Sequence, residues 1–179
     1  MKNRKKGIFI SIISIIYFSF SGMAQTGFHH WEMMIEANQN WRYFEGTQEP
    51  PANWREILFN DNSWNTGPAG IGYGDGDDST IISPVNSLYM RRVFTISNPS
   101  DLLGALLYID YDDAFVAYLN GIEIARSNIG VPGIIPLFDT YADNNTHEAQ
   151  MYQGGKPEGF LLYQDEIDTI LVQGNNVLA

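Results

Sequence analysis

The residues of this chain that could bind a metal ion lie in one glycine-rich segment, residues 67–80. Asp75, Asp77 and Asp78 stand among its glycines. Ca²⁺ prefers several carboxylate and carbonyl oxygens, so the three side chains are candidate ligands of a structural Ca²⁺. The segment lacks the EF-hand pattern, because no glutamate occupies the twelfth position from Asp75. A solvated acidic loop is therefore the alternative interpretation.

A second set of side chains has the chemistry of a sugar-binding site. The C–H faces of sugars pack on aromatic rings, carboxylates accept hydrogen bonds from hydroxyls, and guanidinium groups donate paired ones. The candidate ligand-binding residues are Trp64, Tyr73, Arg91, Asp112 and Tyr118. Most aromatic side chains of a domain this size belong to the core, which is the alternative for each. Trp41 and Trp54 are expected in the core.

No catalytic centre is predicted. The Asp112-Asp113 pair could serve acid–base chemistry, but neighbouring residues on a strand point to opposite faces and cannot flank one bond. We expect one aspartate to cap backbone N–H groups at a turn and the other to face solvent. The three histidines show no zinc-binding spacing, and the sequence contains no Gly-x-Ser-x-Gly elbow and no P-loop lysine.

The first 24 residues have the pattern of a cleaved secretory signal peptide. A basic start is followed by the uncharged stretch 7–20, and Gly22 and Ala24 place small side chains at positions −3 and −1 of a cut. Fourteen residues at about 1.5 Å each are too short for a hydrocarbon core of about 30 Å, so no membrane span is expected after cleavage. The predicted location is secreted, cell-surface or periplasmic.

The expected mature chain of 155 residues is strongly acidic and has no cysteine. It keeps all 21 acidic residues but only six of the ten basic ones, which gives a net charge of −15. Phosphate backbones would repel such a chain, so nucleic acid is a poor candidate partner. Without disulfides, stability must come from packing, with a metal ion as a further contribution.

The elements that must position these residues are short strands. Alternation and β-branched or aromatic content predict strands at 40–44, 88–96, 103–111, 114–119, 122–125 and 159–163, one near 31–35, and a helix or turn at 165–172. Asn120-Gly121 predicts a two-residue type I′ hairpin turn. The glycine-rich segment 67–80 is expected to be a loop. Short strands with frequent turns predict an antiparallel all-β sandwich.

Several short motifs together resemble the galactose-binding-like jelly-roll domain over residues 39–179. They are the Asn60–Trp64 string, Gly72–Asp77, Tyr89–Arg92, Tyr111–Asp113, Tyr118–Gly121 with Glu123 and Arg126, and the ending Gly174–Ala179. Similar modules occur in large exported proteins of Bacteroidetes-type bacteria, beside CotH-type kinase-like, lamin-tail or hydrolase domains, and in β-galactosidase-type enzymes. Ala114 stands where the family often has glycine, and it would be strained if its φ were positive.

The resemblance implies an all-β, antiparallel jelly-roll sandwich after a lead-in at residues 25–38. The last strand, opened by Asn176, stops after three residues, so we expect the parent protein to continue into further domains. The predicted function is a non-catalytic accessory module that binds carbohydrate. The alternatives are a structural or adhesive spacer, and the N-terminal part of an enzyme whose catalytic domain lies beyond residue 179.

Overall fold

The computed structural model describes residues 30–74, 76, 78–144 and 147–179, and the backbone of residues 6–8. Nearly all regular structure in this part of the chain is β. The strands are β1 (Lys6–Ile8), β2 (Asn40–Glu45), β3 (Asn65–Pro68), β4 (Ile71–Tyr73), β5 (Thr80–Ile81), β6 (Leu88–Ile96), β7 (Gly104–Ile109), β8 (Phe115–Leu119), β9 (Ile122–Ser127), β10 (Glu158–Tyr163) and β11 (Gly174–Leu178). The helix α1 (Gln164–Ile170) and two 3₁₀ turns, Pro99–Asp101 and Met151–Gln153, complete the list.

The strands form three sheets. The largest has six strands in the order β3-β2-β6-β11-β8-β9, a second pairs β10 with β7, and a third has the order β1-β4-β5. Every pairing is antiparallel except β4 with β5. This confirms the predicted antiparallel all-β class. No helix in the described ranges is long and apolar enough to cross a membrane.

The hairpin between β8 and β9 has the turn that the sequence predicts. Asn120 has a φ of 53° and Gly121 a φ of 89°, so both central residues lie in the left-handed region that a type I′ turn requires. The Asn120 side chain also reaches β11, where its amide donates to Asn176 Oδ1 at 2.7 Å and its oxygen accepts from Val177 N at 2.8 Å. The turn residue thus joins the hairpin to the neighbouring strand.

Asn176 is a buried polar side chain whose hydrogen bonds are all made. It is 0% exposed. Its amide donates to the carbonyls of Val172 and Gly174, and its oxygen accepts from Val172 N. Buried polar groups are tolerated when their hydrogen bonds are made, and such networks fix one packing arrangement. Asn176 and Asn120 therefore tie together two motifs that lie far apart in the sequence.

One large core brings the three sheets together. Trp41 of β2, Ile71 of β4 and Leu107 of β7 are among the buried side chains in it. Leu107, Ile109 and Tyr111 are all buried, as their alternation predicts. A second cluster is aromatic and contains Trp54, Trp64, Tyr89 and Tyr118. The expectation that Trp41 and Trp54 are core residues is confirmed.

Two predicted elements are wrong. Residues 31–35 form bends and irregular backbone rather than a strand, although Ile35 is buried in the core. The segment 67–80 is not only a loop, because it contains the last two residues of β3, all of β4 and the first residue of β5. A Cβ on Gly67 would lie 2.4 Å from Thr80 Oγ1, so glycine here permits close packing of chain segments as well as turns.

Candidate functional site

A cavity of about 170 Å³ lies between the start of β6, the start of β8 and the irregular segment 129–142. We call it the aromatic cavity. Its aromatic lining residues are Trp54, Tyr73, Tyr89, Phe115, Tyr118 and Tyr141, and its polar ones include Asn86, Ser87, Asp112, Asp113 and Thr140. Drug-sized ligands fill pockets of about 300–1,000 Å³, so this cavity suits one ring-sized group.

The aromatic residues differ in access to solvent. Tyr141 is 61% exposed, while the rings of Tyr89, Phe115 and Tyr118 are each less than a tenth exposed. Tyr141 therefore presents an accessible ring at the mouth, and the buried rings form the wall. The Tyr73 hydroxyl donates to the Val85 carbonyl at 3.1 Å, which fixes that ring.

The cavity is acidic. Burial raises the pKa of Tyr73, and the charges of Asp112 and Asp113 raise it further, so both carboxylates act on the same hydroxyl. Burial is also the main cause of the raised pKa of Tyr89. Asp112 and Asp113 are the only charged residues among those that line the cavity. An anionic ligand would be repelled, and a neutral or cationic one would not.

The segment 128–142 forms one side of the cavity and is held by polar contacts. Arg126 bonds Glu123 through Nε and Nη2, at 2.8 and 2.9 Å, and also donates to the carbonyls of Ile129 and Ile134. Gly133 N donates to Glu123 Oε2. The bond to Arg126 lowers the pKa of Glu123 and raises the pKa of Arg126. This ion pair fastens an irregular segment to β9.

Two further contacts fasten the middle of the same segment. Ser87 Oγ donates to the Phe138 carbonyl at 2.7 Å, and Phe138 N donates to Glu49 Oε1 at 2.9 Å. At its start, the Asn128 amide donates to the Asp113 carbonyl at 2.7 Å. These bonds come from three separate parts of the chain, so the position of Tyr141 depends on residues far from it in sequence.

The structure brings together three of the five sugar-site residues predicted from sequence. Tyr73, Asp112 and Tyr118 all line the aromatic cavity. Trp64 and Arg91 do not line it and are 7% and 1% exposed. Trp64 packs against Phe44, Trp54 and Phe59. The assignment of Trp64 and Arg91 as direct ligand contacts is therefore not supported by their position.

Arg91 has a structural role instead. Its Nε bonds Asp61 Oδ2 at 2.9 Å, and Nη1 donates to the carbonyls of Trp54 and Glu56. The guanidinium also lies 5.1 Å from the centre of the Phe59 ring. A buried arginine needs such partners, because an unpaired buried charge is costly. Arg91 thus holds the turn that places Trp54 at the cavity wall.

Asp112 and Asp113 both line the cavity, although strand alternation predicts opposite faces for them. Residues 110–114 lie outside β7 and β8, and Asp113 has a φ of 58°, so strand alternation does not apply to them. Ala114 is not among the residues with positive φ and is unstrained. Asp110 caps a further turn, because its carboxylate accepts from the backbone N–H groups of Gln150 and Met151, each at 2.8 Å.

The predicted Ca²⁺ ligands remain a sequence prediction. Asp75 and Asp77 lie outside the described residues, and Asp78 is half-buried. Within the described ranges, no three histidine or acidic side chains are grouped so that they could hold a metal ion.

Sequence reasoning missed Tyr141, Asn86 and Thr140 as cavity residues. Tyr141 and Thr140 lie in a stretch without strand periodicity, between β9 and β10, and its position is set by tertiary contacts. The available signal was compositional, because an exposed tyrosine in a proline-containing irregular segment is a common binding residue. No family model, no curated protein and no solved structure matches this chain.

Proposed function

We propose that this protein is a non-catalytic carbohydrate-binding module of an exported protein, and that the aromatic cavity holds the sugar. The observation that supports the proposal best is the exposed Tyr141 ring at the mouth of a cavity with an aromatic wall and polar Asp112, Asp113 and Asn86. An aromatic platform with a few polar groups suits a sugar, which has apolar C–H faces and hydroxyl edges.

The acidic lining narrows the ligand class. Asp112 and Asp113 can accept hydrogen bonds from sugar hydroxyls, and carboxylate acceptors form stronger bonds than neutral ones. Their charge disfavours an acidic sugar at this position. The proposed ligand is therefore a neutral sugar unit, and the small cavity volume suits one unit at a time.

The proposed fold is the galactose-binding-like jelly roll. Supporting it are the antiparallel strands, the Asn120-Gly121 hairpin and the meeting of two family-like motifs at Asn120 and Asn176. We also propose export through a signal peptide that ends at Ala24. Its removal would take away β1, whose partner β4 would remain paired with β5.

A glycan-array screen followed by calorimetric titration tests this function. We expect a neutral oligosaccharide to bind, and Tyr141→Ala to weaken that binding by about tenfold, since an aromatic contact contributes roughly 1–1.5 kcal/mol. Tyr163→Ala is the matched control, because Tyr163 is 64% exposed and lies away from the cavity on β10. Absence of any glycan ligand would favour a structural spacer. Shortening of the glycan during incubation would contradict the non-catalytic assignment.

A further inference from the structure

A second concave surface lies on the other side of Tyr118. It is a shallow groove of about 570 Å³ between the turn at Arg55, strand β9 and the segment 132–135. We call it the arginine groove. Its charged lining residues are Arg55, Glu123 and Arg126, so the lining carries one net positive charge. This contrasts with an expected mature chain of net charge −15.

Two polar atoms at this groove lack partners. The Tyr118 hydroxyl and Arg55 Nε are both buried without a hydrogen bond to any described residue. Buried polar groups are nearly always paired, so each unsatisfied one requires an explanation. Tyr118 is 5% exposed, and its ring contacts Trp54 edge-on, which leaves its position little freedom.

The charged groups that act on the Tyr118 hydroxyl belong to the groove. Burial raises the Tyr118 pKa, and the charge of Glu123 raises it further, whereas the charges of Arg55 and Arg126 and a hydrogen-bonding contact from Arg55 lower it. All three charged residues belong to the groove lining. The Arg55 guanidinium lies over the Tyr118 ring, 4.8 Å from its centre. Arg55 therefore contacts the Tyr118 hydroxyl without a hydrogen bond of good geometry, and the Tyr118 O–H remains available as a donor.

Arg55 has most of its hydrogen-bonding capacity unused. Its one bond in the described structure is a long contact of 3.5 Å from Nη2 to the Ala52 carbonyl. Arg126, in contrast, is engaged by Glu123 and by two carbonyls. The positive charge of Arg126 is thus offset locally by Glu123, and Arg55 supplies the uncompensated charge. An arginine fork and a tyrosine hydroxyl are donors suited to a carboxylate.

We infer that the arginine groove binds a carboxylate, held by Arg55 and the Tyr118 hydroxyl, and that this carboxylate belongs to a uronic acid. The sugar source is favoured because Tyr118 and Ile135 line both the groove and the aromatic cavity. A glycan could therefore place a neutral unit in the cavity and an acidic unit in the groove. The assignment to a sugar, though not to a carboxylate, rests on the proposed function.

The test is a calorimetric titration with a galacturonic acid trisaccharide, a neutral galactose trisaccharide and an acidic peptide. We expect the acidic trisaccharide to bind, and Arg55→Gln to weaken it by about tenfold or more, because hydrogen bonds to charged groups contribute roughly that much. Tyr118→Phe removes only the hydroxyl and should weaken binding by about fivefold. Lys156→Gln, which makes the same charge change at an exposed site, should leave it unchanged.

Each outcome decides one claim. Equal affinities of the parent chain, Arg55→Gln and Lys156→Gln for the acidic trisaccharide would overturn the groove site. Binding of the acidic peptide alone, weakened by Arg55→Gln, would overturn the sugar assignment. Binding of the neutral trisaccharide without the acidic one would refute this inference and leave the proposed function intact, whereas binding of the acidic one alone would support the groove site and contradict galactose as the ligand of the aromatic cavity. Melting curves of Arg55→Gln and Tyr118→Phe confirm that both variants are folded.

Discussion

The aromatic cavity and the arginine groove share a wall but have opposite charge. Tyr118 and Ile135 line both, while the cavity lining carries two aspartates and the groove lining two arginines and one glutamate. Their aromatic content also differs, since the groove has Tyr118 alone. The two regions should therefore prefer ligands of different charge. The aspartates of the cavity repel anionic groups, whereas the net positive charge of the groove attracts them.

The variant that should damage both regions most is Arg126→Ala. The side chain is 6% exposed, and its loss would leave Glu123 without its partner and release two carbonyls of the segment 129–134. Breaking a largely buried ion pair costs about 3 kcal/mol of unfolding free energy. We expect a loss near that size in chemical denaturation and weaker binding of both ligands. Lys156→Ala, at an exposed site, is the control; equal stability of the two variants would contradict this role.

Single substitutions should separate the two sites. Asp112→Asn keeps the shape of the side chain but removes its charge, so we expect about tenfold weaker binding of the neutral sugar and no loss for the uronate. Arg55→Gln should show the reverse pattern. Calorimetric titration of both variants with both ligands measures these opposite changes in affinity. If each variant weakened both ligands equally, the two regions would form one site.

Acid should weaken the Glu123–Arg126 ion pair, which holds the segment 129–134 against β9. The pKa of Glu123 is lowered in the folded state from its ordinary value of 4.5, mainly by the Arg126 bond. Its contribution to stability is therefore fully present above pH 4.5 and is lost as pH falls through the lower folded-state pKa. Unfolding curves between pH 3 and 6 should show a steeper loss in the parent chain than in Glu123→Gln. Parallel pH profiles would show that this ion pair contributes nothing.

The smallest expected effect concerns Tyr118→Phe in the absence of ligand. The Tyr118 hydroxyl is buried without a partner, so its removal should leave the unfolding free energy unchanged or raise it by up to about 1 kcal/mol. Tyr111→Phe is the contrasting control, because the Tyr111 hydroxyl donates to Ser127 Oγ at 2.8 Å and its loss should be destabilising. A marked destabilisation by Tyr118→Phe would mean that the hydroxyl stabilises the fold itself.

Much of the fold could be predicted from local sequence pattern, and the site only in part. The strand Leu88–Ile96 and the Asn120-Gly121 turn follow from side-chain alternation and from backbone preference, which are local. Tyr73 and Asp112 were identified by chemical type and lie at the cavity. Arg91 has the same type of chemistry but is used internally by Asp61 and two carbonyls. Only tertiary structure distinguishes an arginine that faces a ligand from one that holds a turn.

The missed residues show the same limit. Arg55 and Tyr141 lie in irregular segments whose positions depend on distant partners, such as Ser87 for the segment that contains Phe138. Asp110 caps residues 150 and 151, about forty positions further along the chain. Long-range contacts of this kind have no signature in local sequence.

Chemical-shift mapping of the protein with the neutral trisaccharide shows directly whether the aromatic cavity binds a sugar. If the aromatic cavity binds the sugar, the backbone amides of Tyr73, Asn86, Asp112 and Tyr141 should shift in a saturable way. The amides of Gly121, Glu123 and Gly133 in the arginine groove should stay in place until the uronate trisaccharide is added. Saturable shifts confined to residues outside both regions, or no shifts with any neutral sugar, would show that the aromatic cavity does not bind sugar.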